Sequence, residues 1–233
     1  MKLAFISDIH GNVVALKSCL QLIKKMNVEK IYFLGDAIGY LPNGIEVIDI
    51  LINNDVICIK GNHEAMLLGE LPIKNENENI YKLQSTKKQL SQKQLSAIDA
   101  WGVSYKFKVD GKSYLLTHGS PDDVLKGYIY PDSDLSIFNL FNEDVFILGH
   151  THYPFIKKFN DKMIINVGSI GLPRDVGNLS SFVIVDTKEV HASIFRTKFE
   201  TKEILLNGVK NNIHSSVIKL INRRKDDYIG TLI

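Results

Sequence analysis

Most histidines of this 233-residue chain lie in short blocks that also contain aspartate, asparagine or glycine. Five of the seven histidines are placed in this way, in the blocks Ser7-Asp8-Ile9-His10-Gly11-Asn12, Gly35-Asp36, Gly61-Asn62-His63-Glu64, Thr117-His118-Gly119 and Gly149-His150-Thr151-His152. Carboxylates and neutral imidazoles without thiolates suit divalent ions such as Mn, Fe and Zn. A single block of this kind is usually a helix cap or a turn, but together they offer seven ligands, enough for two metal ions.

Apolar runs of strand length precede the blocks, with the third block as the one doubtful case. In the first half of the chain, strands are predicted at residues 3–7, 31–34 and 56–59 and helices at 12–26 and 44–52. This alternation predicts parallel pairing in an α/β layer. Because such sheets bind ligands beyond the carboxyl ends of their strands, we expect the blocks to meet at one edge.

The second half of the chain is predicted to be rich in strands, at residues 105–109, 113–117, 145–148, 155–159, 163–167, 181–185 and 190–196. Asp110-Gly111-Lys112 is a hairpin turn signal, so mixed pairing and a second sheet packed on the first are expected. Between the halves, residues 64–101 are predicted to form helical segments, packed over the sheet or making a cap. Apolar periodicity also predicts a C-terminal helix at about residues 202–225.

Composition fits one soluble domain over residues 1–233, since 45% of the residues are hydrophobic and 23% are charged. A net charge of +2 does not indicate a polyanion partner. Arg223-Arg224-Lys225 is followed by Asp226-Asp227, so a solvated helix end explains it better than a nucleic-acid patch. No clear nucleic-acid patch is therefore expected, and nothing in the sequence indicates an oligomeric state.

Several features indicate a cytoplasmic protein that does not enter a membrane. Cys19 and Cys58 belong to no Cys-x-x-Cys motif and are predicted to be buried free thiols of a reducing compartment. The strand pattern starts at Lys2, which leaves no room for a secretory signal. No apolar run approaches the roughly 20 residues needed to span a bilayer.

The order of the blocks resembles the calcineurin-like metallophosphoesterase superfamily over residues 3 to about 175. The first block and the segment Asn166-Val167-Gly168-Ser169-Ile170-Gly171-Leu172-Pro173-Arg174-Asp175 further resemble the small prokaryotic phosphodiesterases of the YfcE-like branch. The fold implied by the resemblance is an α/β, four-layer α/β/β/α sandwich of two mixed β-sheets flanked by helices. It agrees with the strand and helix pattern above.

Carried over residue by residue, the resemblance implies a dinuclear site for two divalent transition-metal ions, with Mn favoured and Fe, Zn or Ni as alternatives. The ligands implied are Asp8, His10 and His152 for the first ion, Asn62, His118 and His150 for the second, and Asp36 as a bridge. The implied reaction is hydrolysis of a phosphodiester, a small molecule or a nucleotide, by a metal-bridging hydroxide. His63 would bind no metal and would act as general acid.

Three further residues have less specific roles. Glu64 is expected to orient His63 or to raise the pKa of its imidazole. Asn12 either donates to a phosphate oxygen or caps the first helix. Arg174 either contacts the substrate phosphate or pairs with Asp175. His191 and His214 lie outside every block and are expected to be structural or surface residues.

One departure from the family pattern bears on the reaction. Protein phosphatases and dinucleoside tetraphosphatases of the superfamily usually carry Asp-Arg-Gly after the Gly-Asp motif, and this arginine is missing from residues 35–42 here. The third block nevertheless ends in Glu64, as theirs does. A phosphodiesterase is favoured, and a phosphomonoesterase or protein phosphatase is the alternative.

A catalytically silent binding scaffold of the same fold is the non-enzymatic alternative, although such chains typically lose ligands or the histidine corresponding to His63. The sequence lacks the later Asp-His pair of metallo-β-lactamase-type hydrolases, the P-loop of nucleotidases and the Cys-x-x-Cys of zinc deaminases. Substrate specificity is expected to reside in residues 64–101 and 120–133.

Overall fold

The computed structural model describes residues 1–210, 212–225 and 227–233, and within them two β-sheets face one another. The strands are β1 (Lys2–Ile6), β2 (Lys30–Phe33), β3 (Ile57–Cys58), β4 (Ser104–Val109), β5 (Lys112–Thr117), β6 (Val145–Leu148), β7 (Phe155–Phe159), β8 (Lys162–Asn166), β9 (Leu179–Asp186), β10 (His191–Lys198) and β11 (Thr231–Leu232). The helices are α1 (Val13–Lys25), α2 (Gly44–Asn53), α3 (Asn62–Leu68), α4 (Asn75–Tyr81), α5 (Leu83–Gln89), α6 (Gln92–Asp99), α7 (Lys202–Lys210) and α8 (Ser215–Ile221), with a 3₁₀ helix at Ser136–Leu140.

Both sheets are mixed. The first has the order β11-β10-β9-β1-β2-β3, in which β1 pairs in parallel with β2 and antiparallel with β9. The second has the order β4-β5-β6-β8-β7, in which β6 is parallel to both β5 and β8. The predicted fold of two mixed sheets flanked by helices is confirmed.

The inner faces of the two sheets form one apolar core. Phe5 and Tyr32 of the first sheet contact a cluster that includes Tyr114 and Ile147 of the second. The ring of Tyr32 stacks on Phe107, with 5.1 Å between centroids. This packing fixes the two sheets face to face, so that the strand ends of both reach the same edge.

Helices cover the outer face of the first sheet. In α1 the apolar residues Leu16, Cys19, Leu20 and Ile23 recur at helical spacing and are buried, as an amphipathic helix requires. The outer face of the second sheet is covered more thinly, by the 3₁₀ helix, whose Phe138 packs edge-on against Phe146 at 4.9 Å. None of the helices in the described residues is long and apolar enough to cross a membrane.

Residues 64–101 form the helices α3 to α6 and the turns between them. Leu83, Leu90 and Ile98 from this segment are buried in the same cluster as the helices α1 and α2. Tyr81 at the end of α4 instead reaches the edge where the strands end. The segment therefore packs over the first sheet and also borders the region predicted to be functional.

The prediction of a single helix at residues 202–225 is wrong. The described residues form two helices, α7 and α8, and Asn211 lies outside the described residues. His214 has an extended backbone, and its Nδ1 accepts the Ser216 N–H, which starts a second helix. Arg223 and Arg224 donate to the carbonyls of Arg174 and Ile221, so both act in local packing. Asp226, part of the predicted helix-end charge pattern, lies outside the described residues.

A buried ion pair ties the C-terminal strands to the loop after β8. Arg196 is fully buried and donates to both carboxylate oxygens of Asp175, at 2.5 and 2.8 Å. It also donates to the carbonyls of Leu179, Ser180 and Ile229, so its charge is satisfied without water. The pair fixes the position of the loop that carries Arg174.

Both cysteines are free, as predicted, but only Cys19 is buried, whereas Cys58 is half-buried.

Candidate active site

The ends of four strands bring the blocks together. Asp8 and His10 follow β1, Asp36 follows its neighbour β2, and His118 and His150 follow β5 and β6 of the opposite sheet. Because the sheets face one another, the blocks of both meet at one edge. Asn62 and His63 reach the same place from the first turn of α3.

Five residues of the blocks have a left-handed backbone that side chains rarely adopt, with φ between 51° and 66°: Asp8, His10, Asp36, His150 and His152. Each such residue costs about 1 kcal/mol or more, and strain of this kind persists where the surrounding structure holds it, commonly at functional sites. Here it turns the chain sharply after each strand and points the side chains of both sheets toward one another.

The first predicted ligand set is assembled. The Oδ1 atom of Asp8 lies 3.1 Å from Nε2 of His152 and 3.6 Å from Nε2 of His10. All three side chains are buried, and the Asp8 Oδ1 atom has no hydrogen-bond partner among the described residues. A buried, unpaired carboxylate oxygen beside two imidazoles is the arrangement that a cation would complete.

Backbone carbonyls fix the tautomers of these two histidines. Nδ1 of His10 lies 3.2 Å from the Ile38 carbonyl and Nδ1 of His152 lies 2.5 Å from the Leu172 carbonyl. Since a carbonyl only accepts, each Nδ1 carries the proton and each Nε2 presents a lone pair. The two Nε2 atoms are 3.1 Å apart, close to the roughly 3 Å between adjacent octahedral ligands with metal bonds of about 2.1 Å.

The second predicted set is assembled in the same way. Nδ1 of His118 donates to the Leu34 carbonyl at 2.8 Å, and its Nε2 lies 3.0 Å from Oδ1 of Asn62. The ring of His150 packs against His118 with 4.7 Å between centroids, and its Nε2 is buried without a hydrogen-bond partner in the described part of the chain.

Asp36 lies between the two sets. Its Oδ2 atom is 3.4 Å from Nε2 of His118 and 3.7 Å from Nε2 of His10. Its Oδ1 atom accepts the backbone N–H of His63 at 2.9 Å, which orients the carboxylate. One carboxylate oxygen is thus shared by both sets.

The electrostatics of the cluster favour cations. Burial alone would raise the pKa values of Asp8 and Asp36, but the neighbouring imidazoles outweigh it and hold both well below the usual range. Burial lowers the pKa of His150 to about 3, whereas the charge of Asp36 overcomes burial and raises that of His118 to about 9. The negative charge that stabilises a proton on His118 equally stabilises a divalent ion.

Glu64 has a different role from the two expected. Its carboxylate accepts the backbone N–H groups of Asp36, Ala37 and Gly61, at 2.8 to 2.9 Å, and none of its hydrogen bonds goes to His63. Burial and the charge of Asp36 raise the pKa of Glu64 to about 7. Glu64 therefore positions the backbone of Asp36 and not the imidazole of His63.

His63 lies beside the shared carboxylate, with its Nε2 atom 3.8 Å from Oδ2 of Asp36. His10, Asp36 and His63 are close enough together to hold a metal ion, so the geometry alone does not exclude His63 as a ligand. A Cβ atom at Gly39, which has a φ of +93°, would overlap the His63 ring, so only glycine fits there. Tyr40 and Tyr81 pack on the ring, at 5.1 and 4.6 Å between centroids. Burial lowers the pKa of His63 to about 3, so the imidazole is neutral in the free protein.

The contacts of Asn12 and Arg174 distinguish between the alternative roles expected for each residue. Asn12 is buried, accepts the Ala15 N–H and donates to the Gly171 carbonyl, which are the contacts of a helix cap and a loop tie. Arg174 does not pair with Asp175, which is held by Arg196. Its side chain lines the cavity over the two sets, and its Nε has no hydrogen-bond partner among the described residues.

The cavity above the two sets has a volume of about 170 Å³ and contains residues that the sequence did not reveal. They are Tyr40, Tyr81, Tyr128, Tyr130 and Tyr153. Tyr81 and the pair Tyr128 and Tyr130 come from the two segments expected to determine specificity. The pattern Tyr-Ile-Tyr at 128–130 is the one sequence signal that could have singled out the pair.

Known proteins resemble this chain in sequence and in fold. A family model for the calcineurin-like phosphoesterase superfamily domain matches residues 1–190. The uncharacterized protein MJ0912 of Methanocaldococcus jannaschii is 30% identical over 228 residues, which are 91% of this chain and 93% of that protein. The phosphodiesterase YfcE of Escherichia coli K12 is 25% identical over 199 residues, which are 80% of this chain and 88% of YfcE.

Among solved structures, a metallophosphoesterase from Sphaerobacter thermophilus superposes with a TM-score of 0.81 at 23% identity, covering 95% of this chain and 98% of that chain. This likeness shows the fold. Together with the family match, it confirms the resemblance predicted from the five blocks.

Proposed function

The chain belongs to the calcineurin-like phosphoesterase superfamily, and from this premise we propose that it is a phosphodiesterase that works with two divalent metal ions. The observation that carries the proposal is the position of Asp36, whose Oδ2 atom faces Nε2 atoms of both ligand sets at 3.4 and 3.7 Å. A shared anionic oxygen is what two cations about 4 Å apart require, because it offsets their mutual repulsion.

The donors fit such a centre. We assign Asp8, His10 and His152 to one ion, Asn62, His118 and His150 to the other, and Asp36 to both. The unpartnered Oδ1 of Asp8 and Nε2 of His150 support this assignment, because buried polar atoms are otherwise nearly always paired. Oxygen and imidazole donors suit Mn²⁺, Fe²⁺, Zn²⁺ and Ni²⁺, of which we propose Mn²⁺. When bound, such ions lower the pKa of a coordinated water to about 7 and neutralise charge on phosphoryl oxygens.

His63 is proposed to protonate the departing oxygen. Gly39, Tyr40 and Tyr81 pack against the ring, and its Nδ1 atom has no hydrogen-bond partner among the described residues. General acid catalysis needs the imidazolium, which burial disfavours in the free protein. A phosphate anion bound in the cavity supplies the negative charge that stabilises this proton, so protonation of His63 accompanies substrate binding.

Arg174 is proposed to bind a non-bridging phosphate oxygen. It is half-buried at the cavity wall, next to His152, whose carbonyl accepts its backbone N–H. Among the described residues that line the cavity, it alone carries a permanently positive side chain. A phosphodiester has one negative charge and a phosphomonoester has nearly two, so a single arginine favours the diester.

The alternatives in the same fold have less support. Glu64, which resembles the phosphatase pattern, binds backbone N–H groups and does not reach the cavity lining, so it does not favour a monoester. A silent scaffold would not need unpaired buried ligand atoms or strained backbone at five of the blocks' residues. We also propose a cytoplasmic location, because the two free cysteines fit a reducing compartment.

The reaction is tested by comparing a bis-aryl phosphodiester with the aryl phosphomonoester that has the same leaving group. Metal-stripped protein reloaded with Mn²⁺ is expected to hydrolyse the diester with a kcat/KM at least about tenfold higher, which corresponds to about 1.4 kcal/mol. Protein without added metal is the control. A preference for the monoester would make the protein a phosphatase, and no turnover with any of the four metals would favour the scaffold.

A further inference from the structure

Aromatic rings are concentrated around the cavity far beyond their share of the chain. The protein has nine tyrosines, and five of them line the space above the two ligand sets. Tyr40 and Tyr81 pack on the ring of His63 and stabilise its position. Tyr128 and Tyr130, at the mouth of the cavity, are exposed, whereas Tyr40 and Tyr81 are half-buried.

Tyr128 and Tyr130 form a preorganised pair. Their rings are parallel within 3°, with 5.8 Å between centroids, and 56% and 39% of the two residues is exposed. Ile129 between them is buried in the outer core of the second sheet, so both tyrosines project to the same side. The N–H of Tyr130 donates to Ser133 at 2.8 Å, which stabilises the loop.

The pair is continuous with the proposed metal centre. The ring of Tyr128 covers His150 at 4.2 Å between centroids, and Tyr130 contacts Tyr153 at 6.1 Å. An apolar ring surface thus starts at a ligand of the second set and extends outward into solvent. A substrate with its phosphorus at the ligand sets would place the next group of atoms over this surface.

The size of the cavity points the same way. Its volume of about 170 Å³ is below the roughly 300 Å³ at which ligand cavities usually begin. It has room for a phosphoryl group and little more, so the remainder of the substrate lies at the mouth. Tyrosine rings that are this exposed favour a planar aromatic partner there, because every nucleobase has a π-face on which a tyrosine can stack.

We propose that the substrate is a nucleotide-type phosphoester, whose base stacks on Tyr128 and Tyr130 while its phosphate lies at the ligand sets beside Arg174. This proposal rests on the proposed function, which places a phosphate at the ligand sets. It adds that the group attached to the phosphate is a nucleoside. Tyr128 is then a specificity-determining residue that acts in binding.

The test compares two ligands that differ only by the base. The affinities of 5′-AMP and ribose 5-phosphate for Mn²⁺-loaded protein are measured by calorimetry, in the intact protein and in four variants. AMP is expected to bind more tightly by a factor of about 5 to 150, the range of base–aromatic stacking. Tyr128→Leu should remove most of that difference, whereas Tyr128→Phe should retain it.

Tyr105→Leu is the matched control, since Tyr105 is 37% exposed but packs on Tyr32 and Phe107 away from the cavity. Equal binding of AMP and ribose 5-phosphate, binding of neither, or a difference that survives in the double variant Tyr128→Leu/Tyr130→Leu would each overturn the inference. Failure of the proposed function is read separately, in the hydrolysis of the aryl diester. If the protein hydrolyses the diester but binds AMP and ribose 5-phosphate equally, the proposed function stands and only the nucleotide inference is overturned.

Discussion

His63→Ala is expected to bind metal as the unaltered protein does and to turn over an alkyl phosphodiester about 10²–10⁴ times more slowly, the usual contribution of a general acid. The imidazole is close enough to His10 and Asp36 to share an ion with them, but it is not one of the seven ligands proposed above, so its removal leaves every proposed ligand in place. The measurements are the metal content of the purified protein and its kcat.

A second substrate distinguishes proton donation from positioning. A diester with a nitrophenolate leaving group needs little protonation, so the variant should lose much less activity with it than with the alkyl diester. His191→Ala is the matched control, because His191 is exposed on β10 and distant in sequence from every block. Equal losses on both substrates, or loss of metal together with activity, would refute the general-acid role.

Asp36→Asn is expected to abolish the binding of at least one metal ion and to reduce turnover by at least about 10³-fold. Turnover falls because the bound ions supply several kcal/mol of transition-state stabilisation. The amide has nearly the same shape and tolerates the left-handed backbone of this position, where φ is 63°. Its oxygen can still accept the His63 N–H. What is lost is the anionic Oδ2 atom that faces both sets.

Asp55→Asn is the control for this substitution. Asp55 is exposed and has a similar left-handed backbone, with φ of 51°. It precedes β3, which is parallel to β2, so it lies at the opposite edge of the first sheet from Asp36. Metal content by elemental analysis, thermal unfolding and kcat are measured for both variants. Full metal content and undiminished turnover in Asp36→Asn would contradict the bridging role.

Residue types at strand ends were enough to predict that the blocks meet at one edge of the sheets, whereas the division into two ligand sets came from the family resemblance. The strands β6 and β7 begin and end at the predicted residues. Facing sheets then leave one edge at which the blocks can converge. The shared position of Asp36 was implied by the family resemblance, and the topology explains it, since β1 and β2 are neighbours and the second sheet lies opposite.

Contacts between distant segments could not be predicted from one sequence. The role of Glu64 depends on backbone N–H groups of residues 36 and 37, which no periodicity relates to α3. Tertiary packing imposes left-handed conformations on the block residues, although their intrinsic backbone preferences disfavour these conformations. The break between α7 and α8 comes from a local side-chain hydrogen bond of His214, which apolar spacing does not register.

The central claim is that hydrolysis needs two metal ions in each chain, and a metal titration tests it most directly. Metal-stripped protein at a known concentration is titrated with Mn²⁺, and bound metal and the rate of diester hydrolysis are recorded at each step. The account predicts that the rate rises with bound metal and reaches its plateau at two ions per chain. Full activity without metal or with one ion per chain, or no activity at two, would contradict it.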